Sequence, residues 1–188
     1  MATTDTKQRI LAVARRMVQA EGYNALSFRD IAAVLGIKGP AVHHHYPTKG
    51  DLGAALAREY TDEGATRLAE LLDASTHAGK LLDAYVAIFR AALLDDNRMC
   101  LCGIMAAEQE ALPEAVRTEV DRFTDVNVKW LTRVAELDEP GEDELVRRRR
   151  ALAIFAAVEG AQLVARGRRD VGVFDDVIAT YRRTGLIP

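Results

Sequence analysis

Apolar residues recur along this chain at helical spacing, and no stretch alternates in the two-residue rhythm of a half-buried strand. From about Asp5 to Glu21, behind a Thr4 cap, Ile10, Val13, Ala14, Met17 and Val18 form one stripe that Gly22 stops. Ser27, with Asp30 three residues on, opens a short helix that runs through Leu35 and ends at Gly36. After an Ile37-Lys38 turn a third helix spans Gly39 to Tyr46. Pro40 is tolerated in its first turn, where a missing N–H costs nothing, and Pro47 closes it. Thr48-x-x-Asp51 is another box-like cap, starting a longer helix with Leu52, Ala55, Leu56, Glu59 and Tyr60 that reaches about Ala74. His77-Ala-Gly79 breaks the pattern, and later helices are predicted at about 80–95, 101–110, 114–137, 143–166 and 171–184. The acidic run at 139–144 reads as a polar connection whose acids suit the next helix's first turn. The fold class is all-α.

Composition narrows the possibilities. In 188 residues, 49% of them hydrophobic, no run approaches a membrane span, and the N-terminus lacks the apolar core of a signal peptide, so a cytoplasmic protein is expected. The two cysteines, Cys100 and Cys102, lie too close in sequence for a disulfide framework and lack companion zinc ligands. The net charge of −3 conceals an asymmetry: residues 1–50 carry seven Lys/Arg against three Asp/Glu, whereas the remainder is acidic. A small basic head can meet phosphates even on an acidic chain.

Two short helices joined by a glycine turn, the second rich in basic and hydrogen-bonding side chains, match the helix-turn-helix unit that lays its second helix in the DNA major groove. The segments Phe28-Arg-Asp-Ile-Ala-x-x-Leu-Gly-Ile and Pro40-Ala-Val-His-His-His-Tyr-Pro-Thr-Lys-Gly-Asp-Leu52 closely resemble the N-terminal domain of TetR-family transcriptional regulators, over about residues 7–56. More loosely, Cys102-Gly-Ile-Met-Ala-Ala-Glu108 with Leu-Pro-Glu114, and Val158-Glu-Gly-Ala-Gln-Leu163, look like segments of one branch of that family. The resemblance implies a homodimer whose N-terminal three-helix domain, residues 1–47, binds double-stranded operator DNA. The helical remainder, 48–188, would dimerise and bind a small-molecule effector.

The residues give these roles a physical reading. Lys38, Gly39, Pro40 and Ala41 lie where a recognition helix enters the groove, and Pro40 and Ala41 offer only apolar contact to a thymine methyl. Arg29 suits a guanine edge or a phosphate. His43, His44 and His45 occupy positions where the family commonly has two aromatics and a His, so the imidazole at 43 departs from the usual Tyr; the resemblance implies that Tyr46 packs inward, as the family's Phe does. Successive helix residues point about 100° apart, so the three histidines cannot share one metal ion, and no metal or cofactor is expected. Thr48 and Lys49 suit a phosphate at a helix N-terminus.

Phe89, Met99, Cys102, Met105, Phe123 and Trp130, on helices that would surround the family's effector cavity, are the candidate contacts to a largely apolar ligand; core packing is the simpler account of each, since apolar stripes at helical spacing need no ligand to explain them. Ala153, Ala156, Ala157, Gly160, Ala161 and Val164 supply a small apolar face for dimerisation through the last two long helices. No Gly-rich phosphate loop, G-x-S-x-G or H-E-x-x-H occurs, so the chain is read as a non-enzyme. The alternatives are a helical small-molecule-binding protein without DNA activity and a His/Cys metal-dependent enzyme.

Overall fold

The computed structural model describes residues 2–188, with side chains from Asp5 onward. Its helices are α1 (Ala2–Glu21), α2 (Phe28–Leu35), α3 (Gly39–His45), α4 (Lys49–Ala74), α5 (Ala78–Leu94), α6 (Leu101–Ala106), α7 (Glu114–Asp138), α8 (Glu144–Arg168) and α9 (Val171–Arg183). Short 3-10 turns occupy Tyr23–Ala25 and Gln109–Ala111, and no strand occurs among the described residues.

Local chemistry sets most of these boundaries. The Ser27 hydroxyl accepts the Asp30 N–H at 3.3 Å, and Gly36 ends α2 at φ 66°, a left-handed conformation that glycine adopts without a side-chain clash. At the start of α4 the Thr48 hydroxyl accepts the Asp51 N–H at 3.1 Å while the Asp51 carboxylate accepts the Thr48 N–H at 3.0 Å, a reciprocal capping box. Asp143 caps α8 through the N–H groups of Leu145 and Val146.

Three boundaries differ from the sequence reading. Helix α1 begins at Ala2, ahead of the expected Thr4 cap, whose side chain lies outside the described residues. Helix α5 begins at Ala78, so Gly79 sits in its first turn instead of breaking the chain. The helix expected over 101–110 ends at Ala106, and the Glu108 carboxylate accepts the Asn24 N–H at 2.9 Å. Leu112, preceding Pro113, is extended, as the proline ring requires of its predecessor.

By internal contacts the chain forms two compact units, residues 1–62 with 101–123, and residues 63–100 with 124–188. Besides α1, α2 and α3, the first holds the first part of α4, α6 and the start of α7. Its core holds Ile10, Ala14 and Val18 from α1, Ile31 from α2, Val42 from α3, Tyr46, and Leu52 and Leu56 from α4. Beside that core, Arg58 pairs with Glu119 at 2.7 Å, and Arg122 pairs with both Glu119 and Asp62.

The second unit is built on Leu81, Leu82 and Tyr85 of α5, Leu131 and Val134 of α7, Ile154 and Val158 of α8, and Phe174 and Ile178 of α9. Several of its buried polar groups are paired across elements. Gln162, fully buried, accepts the Cys100 N–H at 2.9 Å and donates to the Phe89 carbonyl at 2.7 Å, which ties the 95–100 connection to α5. Tyr85 donates to Asn127 at 3.0 Å, and the Trp130 indole N–H donates to the Leu68 carbonyl at 2.6 Å.

Candidate nucleic-acid interface, ligand site and subunit face

The hydrophobic sides of α2 and α3 turn inward through Ile31, Ala32 and Val42, which leaves their polar sides in solvent. Arg29 is 91% exposed, with a 3.4 Å contact to Asp30. Lys38 is the N-cap residue of α3, and Pro40, one residue into the helix, is exposed with it, while Gly39 and Ala41 are half-buried. His43 and His44 are exposed and His45 is half-buried.

The ring of His43 meets Phe28 edge-on at 4.6 Å, and its Nδ1 lies 3.3 Å from the Pro47 carbonyl, so that nitrogen carries the proton and Nε2 remains for a partner. Among the described residues no three His, Cys, Asp or Glu side chains converge as metal ligands. The inward place expected for Tyr46 is observed: it is 3% exposed, with its hydroxyl buried and unpartnered. Its pKa is pushed up to about 12, first by burial and then by the charge of Glu59.

Thr48 is exposed at the head of α4, but its hydroxyl is engaged in the capping box. Lys49 is drawn inward, donating to the Asn24 carbonyl at 3.0 Å and lying 4.8 Å over the Tyr23 ring. An ammonium has three donors, so this fixes Lys49 without exhausting it. Val34, 70% exposed on α2, is an apolar surface residue that the sequence reading passed over.

The six candidate ligand contacts are all buried but divide between the two compact units: Cys102, Met105 and Phe123 belong to the first, Phe89, Met99 and Trp130 to the second. Within the first, the Phe123 ring lies 5.6 Å from Tyr60. Within the second, Tyr85 brings Phe89 and Trp130 together, stacking on Trp130 at 5.3 Å and lying 5.1 Å from Phe89.

Against Tyr85 and Cys100 stands Glu159 of α8, which the sequence reading did not single out. Both of its carboxylate oxygens are buried and unpartnered. Burial pushes its pKa up to about 7, the weakly donating Cys100 thiol opposing. An acidic residue within the apolar pattern of α8 was the available signal. A separate open cavity of about 700 Å³ in this unit is bounded by Leu68 and Leu72 of α4, Val126, Trp130 and Arg133 of α7, and Arg147 of α8.

On α8 the structure divides the predicted dimer face. Ala153, Ala156, Gly160 and Val164 are exposed and Ala157 is half-buried. Ala161, however, is buried within the chain's own core, in one row with Ile154, Val158 and Ala165, so it cannot lie on an outer face. In its place come Leu152, 51% exposed, and Leu163, 53% exposed, which share the outer side of the helix with Ala156 and Gly160 at spacings of three and four. The same spacing argument that selected the small residues would have found both leucines.

Residues 10–56 match the sequence profile of bacterial regulatory proteins of the tetR family. The fold is similar to the crystal structure of a TetR transcriptional regulator from Legionella pneumophila, with 34% identity and a TM-score of 0.88 over 97% of both chains. In sequence the chain is similar to the HTH-type transcriptional regulator CymR of Pseudomonas putida, 29% identical over 63% of this chain and 59% of that protein. It is also similar to the HTH-type transcriptional repressor DhaR of Mycobacterium sp. (strain GP1), 28% identical over 69% of this chain and 65% of that one. The matched segments thus span less than two thirds of either regulator.

Proposed function

Because the chain belongs to the TetR family of bacterial regulatory proteins, we propose that it is a ligand-responsive transcriptional repressor, homodimeric and acting in the cytoplasm, that leaves a palindromic operator when a small molecule binds. The observation that carries this reading is the α2–α3 pair, whose apolar sides are buried while Arg29, Lys38, Pro40 and His44 stand in solvent on a basic segment of the chain. In this reading residues 1–47 are the DNA-binding domain and 48–188 the effector-binding and dimerising part. Repression works by occupancy, and an effector that binds one conformation better shifts the population away from the DNA-bound one. Helix α4, unbroken from Lys49 to Ala74, opens the second part directly behind the DNA-binding domain.

The test is selection from a random duplex DNA library. A regulator enriches one palindromic sequence, with half-sites about one helical turn (~34 Å) or a multiple apart. A protein that binds small molecules without DNA activity enriches none. On the selected operator, Arg29→Ala is expected to lose both affinity and discrimination. Lys49→Ala weakens all sequences alike and flattens a salt dependence of about −0.9 log units per phosphate contact. Unchanged operator binding by both variants would remove these residues from the interface.

A further inference from the structure

Taking a carboxylate out of water without giving it a donor is among the most costly arrangements a protein core can hold, and such groups persist where something else supplies the partner. Glu159 is such a group. Its oxygens are buried and find no N–H or O–H donor, only the Cys100 thiol, whereas Gln162 makes two hydrogen bonds and Tyr85 gives its proton to Asn127.

Three cations of the unit are paired with other carboxylates. Arg90 is held bidentately by Asp175 at 2.8 Å, Arg182 by Asp83, and Arg98 by Asp95. The titratable groups acting on Glu159 are Tyr85 from α5 and Cys100 from the segment before α6, and neither can bring a positive charge. Although its oxygens are buried, the residue as a whole is only half-buried, as is Phe155 one turn earlier on α8. Beyond Tyr85 the surroundings are aromatic, with Trp130 stacked on it and Phe89 beside it.

A buried carboxylate whose neighbouring donor is only the weak Cys100 thiol, set beside aromatic rings, is suited to an organic cation with an apolar body. The N–H groups of such a ligand satisfy the carboxylate, and ring faces attract its charge. We propose that Glu159 is the polar anchor of the effector site and that the effector class is an apolar molecule bearing a protonated amine. This deepens the effector reading above and rests on it.

The experiment pairs phenylalkylamines with phenylalkanols of the same chain length and measures their affinities for the full-length protein by calorimetry and by Trp130 fluorescence. The wild type is expected to favour each amine over its alcohol by about tenfold or more, a difference of about 1.4 kcal/mol. In Glu159→Gln that preference disappears while alcohol binding is retained. Cys100→Ser, which sets a stronger O–H donor against the carboxylate, reduces amine affinity with the carboxylate still present. Amine affinity rises as the pH is raised through about 7, because the ionised carboxylate is the form that binds.

Equal affinity for amine and alcohol in the wild type, as a core satisfied by trapped water alone would give, overturns the proposal. So does a preference that survives in Glu159→Gln, or a failure of every amine to bind. Operator selection on the same protein keeps the two readings apart. Sequence-specific DNA binding without amine preference removes this inference only, and amine preference without operator selection removes the regulator reading instead.

Discussion

Tyr46 and Glu159 show how far single positions can be read from a sequence. An inward Tyr46 was legible from the TetR-family resemblance, which has an inward Phe there, yet its unpartnered hydroxyl was not, since partners come from distant elements. Removing that hydroxyl also removes its desolvation cost, so Tyr46→Phe is expected to raise stability by about 1 kcal/mol in urea denaturation. A loss of stability would mean that the hydroxyl has a partner after all. Glu159 carries a larger and pH-dependent cost. Its pKa rises from the ordinary 4.5 to about 7 in the folded chain, so the folded form binds a proton more tightly than the unfolded one. The group's contribution is then most favourable below pH 4.5, declines as the pH rises towards about 7, and is constant above. Glu159→Gln, which cannot ionise, should match the wild type near pH 4 and exceed it at pH 8 by about 3 kcal/mol. Parallel stability curves for the two proteins across that range would contradict this account of the carboxylate.

Elements were legible in proportion to how locally their ends are decided. The Ser27 and Thr48 caps and the Gly36 stop involve residues within three or four positions, and the structure forms each where the spacing placed it. The early end of α6 could not be foreseen, because Glu108 serves a partner 84 residues away in sequence. The same carboxylate lies against position 22, where a positive φ favours glycine. Gly22 sits at φ 89°, and a Cβ there would fall 1.8 Å from the Glu108 Oε1. Gly22→Ala is therefore expected to cost about 2–3 kcal/mol, from backbone strain together with displacement of Glu108. In a Glu108→Ala background the steric share disappears and about 1 kcal/mol of strain remains. A double-mutant cycle measures that coupling, and a cycle that closes with no interaction energy would show that the carboxylate simply swings aside.

At the scale of the whole molecule, the fold class was legible from helical periodicity and the helix-turn-helix from its residues, whereas the ligand region was not. Its six expected residues are apolar and buried, as core residues also are, and they belong to two compact units. The outer side of α8 bears on assembly. Of the large apolar side chains exposed among the described residues, Leu145, Val146, Leu152, Leu163 and Val164 all belong to this one helix. Scattered exposed leucines are ordinary on a protein surface, whereas a row of them along one helix, with Ala156 and Gly160 between, is a candidate contact face. Under the regulator reading two such faces meet in a homodimer, and the small residues at the centre let the backbones approach closely. Leu163→Glu and Gly160→Glu each place an unpaired charge in that contact, while neither disturbs the chain's own core, where a Cβ at Gly160 meets nothing within 4 Å. Both variants are therefore expected to fold with wild-type thermal stability per protomer and to sediment as monomers. Losing the dimer converts two linked half-site contacts into independent ones, so operator affinity should fall by about 10²–10⁴-fold with half-site preference retained. Ala161→Glu is the contrasting control: it charges the inner row and should destabilise the fold itself. Dimers that persist in Leu163→Glu and Gly160→Glu would move the subunit contact off α8.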